Sequence, residues 1–268
     1  MKFLLLIGFY GLAIVPSPIL GQNIQKKIVK ADKMSFNCSL FEPKAKVSSI
    51  LLLLPCLGEK PETIFEKTRL PALLAEHGFL TILPDLGKTL FADSTTCADL
   101  HKQMQYFIEM NKLGELPVVV GGFSRGGAIS LRFAEHILSA GITVNLRGVF
   151  AIDPALDLQR LYYSSINKSR YGCSKLITKE GASITNYLVE KLGDSPQTQR
   201  VKYIGHSVYS HNIDSGGNAK YLLNIPVRLY SEPDLAFVKQ KYCQQLQEDD
   251  LNAFDIRYFF SVCSEKFE

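Results

Sequence analysis

Short apolar runs alternate with segments of helical periodicity along most of the chain. Between the runs, apolar side chains recur every three or four positions, as at Leu100, Met104 and Phe107, which is the spacing of one helix face. Strands and helices that alternate in this way form right-handed βαβ units. The pattern therefore predicts an α/β fold, with a mostly parallel central sheet flanked by helices. The runs predicted as strands lie at 47–54, 80–85, 118–120, 146–153 and 226–230.

Residues that favour helix ends mark several of the predicted helices. Asp93 or Ser94 is suited to cap the helix that carries Leu100, and Gly193 is suited to end a helix that spans about 183–192. A further helix is expected from 235 to about 247.

Three segments have weaker patterns. Residues 22–46 are polar and irregular, with 34–41 as a possible edge strand. Residues 254–260 alternate weakly, so they form either a last strand or the continuation of a helix. From about 154 to 224 the alternation of strands and helices is interrupted. We expect this segment to be an insertion or lid over the sheet, or else ordinary connecting structure.

The first residues have the composition of an export signal. Lys2 precedes an apolar run that is too short to span a bilayer, and Pro16 ends it. Gly21 is a small residue at a suitable cleavage point. We therefore expect residues 1–21 to be a signal peptide and residues 22–268 to form one α/β domain, secreted or periplasmic, with no stable membrane span after cleavage.

Charge, motifs and cysteine usage exclude several classes of function. The 268 residues carry a formal net charge of +4 with scattered Lys and Arg, so no nucleic-acid partner is expected. No G-x-G-x-x-G opens a helix and no phosphate loop occurs, so no cofactor is expected. The 6 cysteines permit up to three disulfides in an exported protein. Their irregular spacing, without C-x-x-C, argues against a metal site.

The stretch from 118 to 127 carries the strongest chemical signal. Three valines predict a buried strand, Gly122-Phe123-Ser124-Arg125-Gly126 fits G-x-S-x-G, and a helical pattern follows. Such a turn forces its serine into a strained conformation, and the glycines are needed because a Cβ there would clash with the neighbouring strand and helix. The hydroxyl of Ser124 is then exposed at a helix N-terminus, which favours a developing anion. Ser124 is therefore the candidate nucleophile.

This strand, turn and helix resemble the nucleophile elbow of the α/β-hydrolase superfamily. With the segment 226–234, the chain is similar to exported bacterial α/β-hydrolase-like proteins. The resemblance implies a triad in the chain order serine, acid, histidine. It places the acid at Asp234, which is also suited to cap the next helix, with Asp153 as the alternative. It further implies an oxyanion hole formed by the backbone N–H groups of Arg125 and of Cys56 or Leu57.

The catalytic base is the least determined member of this triad, because no histidine follows Asp234. Within the predicted insertion, His206 and His211 are the candidates, with Asp153 as the acid if either of them serves. The resemblance implies instead that the histidine lies in a segment beyond the last strand, where this chain has few residues.

Two functions follow from these expectations. The first is a secreted serine hydrolase, a carboxylic-ester hydrolase that acts through an acyl-enzyme on Ser124 and takes a small-molecule ester or acyl substrate. The alternative is a catalytically impaired hydrolase-fold binding protein that lacks the triad histidine. A third possibility is acyl transfer between two bound substrates.

Overall fold

The structure is a computed structural model, and it describes residues 24–31 and 34–264. The predicted signal peptide, residues 1–21, lies outside the described residues. The described chain divides into two compact units. The first unit comprises the residues up to Ala151 together with Ile225–Arg228, and the second comprises Ile152–Asn224 together with the residues from Leu229 onward.

A mostly parallel sheet organises the fold. Its strands in the described chain are β1 (Ile24–Ala31), β2 (Met34–Phe41), β3 (Ser49–Leu54), β4 (Phe79–Pro84), β5 (Val118–Phe123), β6 (Leu146–Ile152) and β7 (Val227–Tyr230). The order is β1-β2-β4-β3-β5-β6-β7, and β3 is parallel to both β4 and β5. β6 and β7 are also parallel, since the N–H groups of Val149 and Asp153 donate to the carbonyls of Pro226 and Tyr230 respectively. The predicted fold class is confirmed.

The antiparallel end of the sheet differs from the prediction. β2 has the predicted bounds, but it is not an edge strand, because β1 pairs antiparallel with its outer side. The sequence pattern misses β1 because lysines occupy three of its eight positions. Charged lysines are common on edge strands, where they discourage pairing with other chains.

Buried strands and flanking helices form the core of the first unit. The side chains of Leu51–Leu54 on β3 are completely buried, as expected for a parallel strand covered on both faces. Asp93 caps α3 as predicted, because its carboxylate accepts from the N–H of Thr96 at 2.7 Å. The helices of this unit are α1 (Ile64–Lys67), α2 (Leu70–Glu76), α3 (Ser94–Met110) and α4 (Arg125–Ser139).

The second unit is mainly helical. Its helices are α5 (Leu158–Tyr171), α6 (Lys175–Leu192), α7 (Arg200–His206), α8 (Leu235–Lys241) and α9 (Asn252–Ser264). α5 and α6 pack closely, since a Cβ on Gly181 of α6 would lie 2.4 Å from the carbonyl oxygen of Ser165. A disulfide joins Cys173 to Cys243.

The segment of about 154–224 contains α5, α6 and α7, so it is largely helical. The helix predicted at 183–192 is the second half of α6, which ends at Gly193 with φ of 93°. A role of this segment as a lid stays a prediction.

The end of the described chain is a helix, so the strand alternative for residues 254–260 is wrong. In α9, Ala253, Ile256 and Phe259 are buried, which is helical spacing. The apparent alternation arose because Phe254, Tyr258 and Phe260 also line this helix, on less buried positions. In the described part of the chain, no helix has the length and apolar character to cross a membrane.

Candidate active site

Ser124 occupies a sharp turn between β5 and α4. Its φ of 49° and ψ of −117° lie outside the conformations that ordinary residues adopt, and the first residue of α4 is Arg125. The strained conformation predicted for Ser124 is therefore confirmed. Strain of this kind persists only where the surrounding structure enforces it, and it is concentrated at functional sites.

Two glycines make this turn sterically possible. A Cβ on Gly122 would lie 2.4 Å from the backbone of Gly126, at the start of α4. A Cβ on Gly126 would lie 2.3 Å from the carbonyl oxygen of Leu54, at the end of β3. A Cβ at these positions would therefore clash with the helix and with the strand, as expected. α4 begins in direct contact with the end of the neighbouring strand.

The turn after β3 contains the residues predicted to complete the oxyanion hole. The carbonyl of Cys56 accepts from the N–H of Glu59 at 3.2 Å, and Gly58 has φ of 75°. These features define a β-turn over Cys56–Glu59, which we call the oxyanion turn. Its predicted donors are the N–H groups of Cys56 and Leu57.

The side chain of Arg125 contacts the oxyanion turn directly. It is 3% exposed, and its Nη2 donates to the carbonyl of Cys56 at 2.9 Å. The structure thus brings together three of the predicted site residues: Ser124, Arg125 and Cys56. The backbone N–H of Arg125 lies in the first turn of α4, where the helix dipole favours negative charge.

A thiol and an ion pair flank the oxyanion turn. Nζ of Lys67 lies 3.7 Å from Sγ of Cys56 and pairs with the carboxylate of Glu59. Burial raises the pKa of the Cys56 thiol to about 12, and the positive charge of Lys67 opposes this only in part. A protonated, buried thiol is a poor nucleophile, so Ser124 remains the candidate nucleophile of this unit.

The two candidate acids lie in the second unit and have different surroundings. Asp234 is exposed and caps α8, because its Oδ1 accepts from the N–H of Phe237 at 2.8 Å. Asp153 follows β6 with φ of 52° and accepts from the hydroxyl of Ser231 at 2.7 Å. Burial raises the pKa of Asp153, and its hydrogen bonds from Ser231 and Asn252 act in the opposite direction.

The candidate bases also belong to the second unit. His206 is the last residue of α7. His211 is held at two points: its backbone N–H donates to Asp157, and its Nε2 lies 3.0 Å from Oδ1 of Asp255. The imidazole of His211 is therefore hydrogen-bonded to Asp255, which the sequence analysis did not identify as a site residue. The backbone of His211 is hydrogen-bonded to Asp157.

Asp255 on α9 is the centre of a buried polar network that we call the Asp255 hub. Besides His211, it accepts from the backbone N–H groups of Leu156 and Asp157 and from the guanidinium of Arg160, at 2.6 to 3.1 Å. Burial alone would raise the pKa of Asp255, but Arg160 and His211 outweigh it and lower the pKa to about 2. A carboxylate so fully paired has the surroundings of a structural anchor. Sequence reasoning missed it because its partners lie far away along the chain.

Within the described residues, no cluster of His, Cys, Asp and Glu is arranged to hold a metal ion. Cys56 and Cys97 are buried thiols, and burial raises the pKa of Cys97 to about 12 as well.

Comparisons with known proteins bear on the fold. No protein-family model matches the chain, and no curated protein matches its sequence. Among solved structures, it is similar to an acylaminoacyl peptidase from Pyrococcus horikoshii, with a TM-score of 0.56 and 11% identity over 90% of this chain. The chain spans 36% of the length of that protein, about one third.

It is also similar to carboxyl esterase 2 of the fungus Tuber melanosporum. The TM-score is 0.51 with 14% identity, and the match covers 96% of this chain and 90% of the esterase. Likeness at such identities concerns the fold and not the reaction. With Ser124 in its strained turn between β5 and α4, the chain has the α/β-hydrolase fold.

Proposed function

We propose that the protein is a serine hydrolase that cleaves carboxylic esters through an acyl-enzyme on Ser124. The observation that carries this proposal is the conformation of Ser124, with φ of 49° between a buried strand and the N-terminus of α4. The chain builds this strained turn with two glycines that have no room for a Cβ. A turn that served only to connect a strand with a helix would not require this strain.

The proposed reaction follows from these groups. The hydroxyl oxygen of Ser124 attacks the ester carbonyl carbon while a base removes its proton, and the carbonyl oxygen becomes an oxyanion. The N–H of Arg125 and an N–H of the oxyanion turn stabilise that charge. The ester C–O bond then breaks, the alcohol leaves with the proton, and water hydrolyses the acyl-enzyme by the same route. We assign the acid role to Asp234, with Asp153 as the alternative.

A second candidate function is a hydrolase-fold binding protein without a working triad. The observation that favours it is the environment of His211, whose Nε2 is engaged by the Asp255 hub. A histidine fixed in this way is not available as a base through that nitrogen. The ester or acyl group would then be bound by the same turn and helix N-terminus but released unchanged.

An active-site probe separates these functions. We expect a fluorophosphonate to label the purified protein and Ser124→Ala to abolish the labelling. The matched control is Ser139→Ala, which removes an exposed hydroxyl at the other end of α4 and is expected to label like the wild type. Folded protein that does not label would favour the binding protein, and labelling retained by Ser124→Ala would refute the proposal.

Substitutions can assign the remaining triad members. Turnover of p-nitrophenyl acetate is compared for Asp234→Asn, Asp153→Asn, His206→Ala and His211→Ala. The acid is the aspartate whose substitution lowers kcat by several orders of magnitude, because triad residues act as a unit. A histidine whose loss costs as much as Ser124→Ala is the base. Equal activity of all four variants would leave no triad in this chain and support the binding protein.

We also propose that the protein is exported and loses about its first 21 residues. The disulfide between Cys173 and Cys243 supports an oxidising compartment. Mass spectrometry of the exported protein is expected to give Gln22 as the first residue, and an intact Met1 would contradict export by a cleaved signal.

A further inference from the structure

We infer that the guanidinium of Arg125 is a positioning group that sets the direction of the Leu57 N–H and so makes Leu57, rather than Cys56, the second oxyanion donor. This inference rests on the proposed hydrolase function. It concerns the side chain of Arg125, which is distinct from the backbone N–H that the elbow itself supplies.

The contacts of the guanidinium are backbone carbonyls from two turns. Nη2 donates to the carbonyl of Cys56 at 2.9 Å. Nη1 donates to the carbonyls of Gly87 and Thr89 at 3.0 Å and 2.7 Å. One side chain therefore joins the turn after β3 and the turn after β4 to the residue that follows the nucleophile.

Peptide geometry links the Cys56 carbonyl to the Leu57 N–H. The two groups belong to the same planar, trans peptide, so they point in opposite directions. A hydrogen bond that fixes the carbonyl of Cys56 toward the guanidinium therefore fixes the N–H of Leu57 away from it. The N–H of Cys56 belongs to the preceding peptide, and this contact does not orient it.

The oxyanion turn has a second attachment at its other side. Lys67 contacts Sγ of Cys56 and pairs with Glu59, so the first and last residues of the turn are both held. Gly126 allows the carbonyls of Leu54 and Pro55 to approach α4, where a Cβ would lie 2.3 Å and 2.6 Å from their oxygens. The turn is thus fixed before a substrate arrives, which is what an oxyanion donor needs in order to stabilise charge without reorganisation.

Lysine cannot replace this arrangement. The guanidinium presents planar, divergent donors that reach three carbonyls at once, whereas an ammonium group is a compact point charge on a flexible stem. Arg125→Lys keeps the charge but loses the geometry. The matched control is Arg132→Lys, the same substitution on the same helix, at an arginine that pairs with Glu135 and is outside the proposed oxyanion hole.

The first readout compares the binding of a ligand that forms an oxyanion in the site with the binding of a matching ligand that does not. We expect Arg125→Lys to lower kcat about ten- to hundred-fold with little change in KM. Affinity for a trifluoromethyl ketone, which forms an oxyanion adduct with a serine, should fall by a similar factor, while the matching methyl ketone should bind as before. Arg132→Lys should change none of these values. Equal losses for both ketones would show a merely structural role and overturn the inference.

The second readout needs no catalysis. Cys56 is 5% exposed, so its alkylation by iodoacetamide reports opening of the oxyanion turn. We expect Arg125→Lys to speed alkylation of Cys56 about tenfold, as for the loss of one charge-assisted hydrogen bond, and to leave the buried Cys97 on α3 unchanged. An unchanged rate at Cys56 overturns the inference whatever the activity.

A further variant covers the case in which Arg125→Lys does not fold. Arg125→Gln replaces the guanidinium by a shorter, neutral amide that cannot reach all three carbonyls, and it leaves the glycines of the elbow intact. It should shift the ratio of the two ketone affinities in the same direction, and an unchanged ratio overturns the inference. Turnover retained by Ser124→Ala would instead refute the proposed function, so the two failures are distinguishable.

Discussion

At the scale of single residues, the elbow depends on two glycines, because a Cβ at either position would clash with neighbouring backbone. Gly126 lies against the end of β3, so its substitution tests the geometry without removing any functional group. Gly126→Ala places a methyl 2.3 Å from the carbonyl oxygen of Leu54. We expect it to lower the free energy of unfolding by about 1–3 kcal/mol and to abolish labelling of Ser124, because α4 must move away from β3.

Gly205 on α7 provides the matched control for this substitution. A Cβ there would meet no atom within 4 Å. Gly205→Ala is expected to stabilise the protein by about 0.5–1 kcal/mol, since alanine loses less conformational freedom in a helix, and to label normally. Chemical denaturation and probe labelling measure both variants, and normal labelling of Gly126→Ala would contradict the elbow geometry.

A single buried carboxylate on α4, that of Glu135, is expected to make the stability of the protein depend on pH. Burial raises the pKa of Glu135 to about 8, against the lowering effect of its ion pair with Arg132. Since this value lies above the ordinary 4.5, the stability linked to Glu135 is fully present below about pH 4.5 and is lost as the pH rises through about 8. In the wild type we expect the free energy of unfolding to fall by more than about 1 kcal/mol between pH 5 and pH 9 because of Glu135. Glu135→Gln should not show this fall, because glutamine does not ionise.

Urea denaturation at several pH values measures this effect. Glu109→Gln, at an exposed position on α3, is the control and should keep the slope of the wild type. The same slope in wild type and Glu135→Gln would contradict the assignment.

At the scale of elements, α9 is attached to the rest of the second unit through the Asp255 hub. Asp255→Asn would leave the buried guanidinium of Arg160 without its partner charge. We expect a loss of about 3–5 kcal/mol in the free energy of unfolding, because an unpaired buried charge is costly. Since the pKa of Asp255 is lowered to about 2, its contribution is fully present above about pH 4 and is lost as the pH falls through about 2.

An exposed ion pair in the same unit is the control. Arg257 and Glu248 pair at 3.4 Å with side chains 59% and 61% exposed. Glu248→Gln is expected to change stability by less than about 1 kcal/mol. Equal effects of the two substitutions in thermal or urea unfolding would show that Asp255 is not a hub.

Elements with a strong local pattern were predictable from the sequence, and others were not. β3 to β7 and the capped start of α3 follow from apolar runs and from Asp93, which act within a few residues. β1 was missed because its lysines hide the apolar pattern. α9 was ambiguous because Phe254, Tyr258 and Phe260 add apolar positions outside its buried face.

The candidate site was likewise predictable only where its residues form a local pattern. Ser124 and its glycines form one continuous motif, so a local pattern finds them. The guanidinium contacts of Arg125 and the Asp255 hub depend on residues that lie 36 to 99 positions away in the chain. A single sequence contains no signal for such pairs, because either partner alone has an ordinary local context.

At the scale of the whole molecule, the second unit carries a covalent link across a long stretch of chain. The disulfide of Cys173 and Cys243 spans 70 residues. Its removal by Cys173→Ser and Cys243→Ser should destabilise that unit by about 2–4 kcal/mol, because a closed loop restricts the unfolded chain. Hydrogen exchange of α5 and α6 should then become faster.

Cys97→Ser in the first unit is the control for this experiment, because it replaces a buried cysteine that forms no disulfide. It should leave the exchange of α5 and α6 unchanged. Slow exchange retained in the double variant would show that the disulfide adds little to the stability of the second unit.

The Asp255 hub also bears on the order in which the chain assembles as it leaves the ribosome. Asp255 is 99 residues from Leu156 and 44 from His211. Protein synthesis adds about 5–20 residues per second, so Asp255 is synthesised roughly 5 to 20 seconds after Leu156 and Arg160. β1 to β5 are complete long before that moment. The second unit therefore gains its buried polar network only after α9 has been synthesised, and until then α5 has a solvated, unpaired cation at its start.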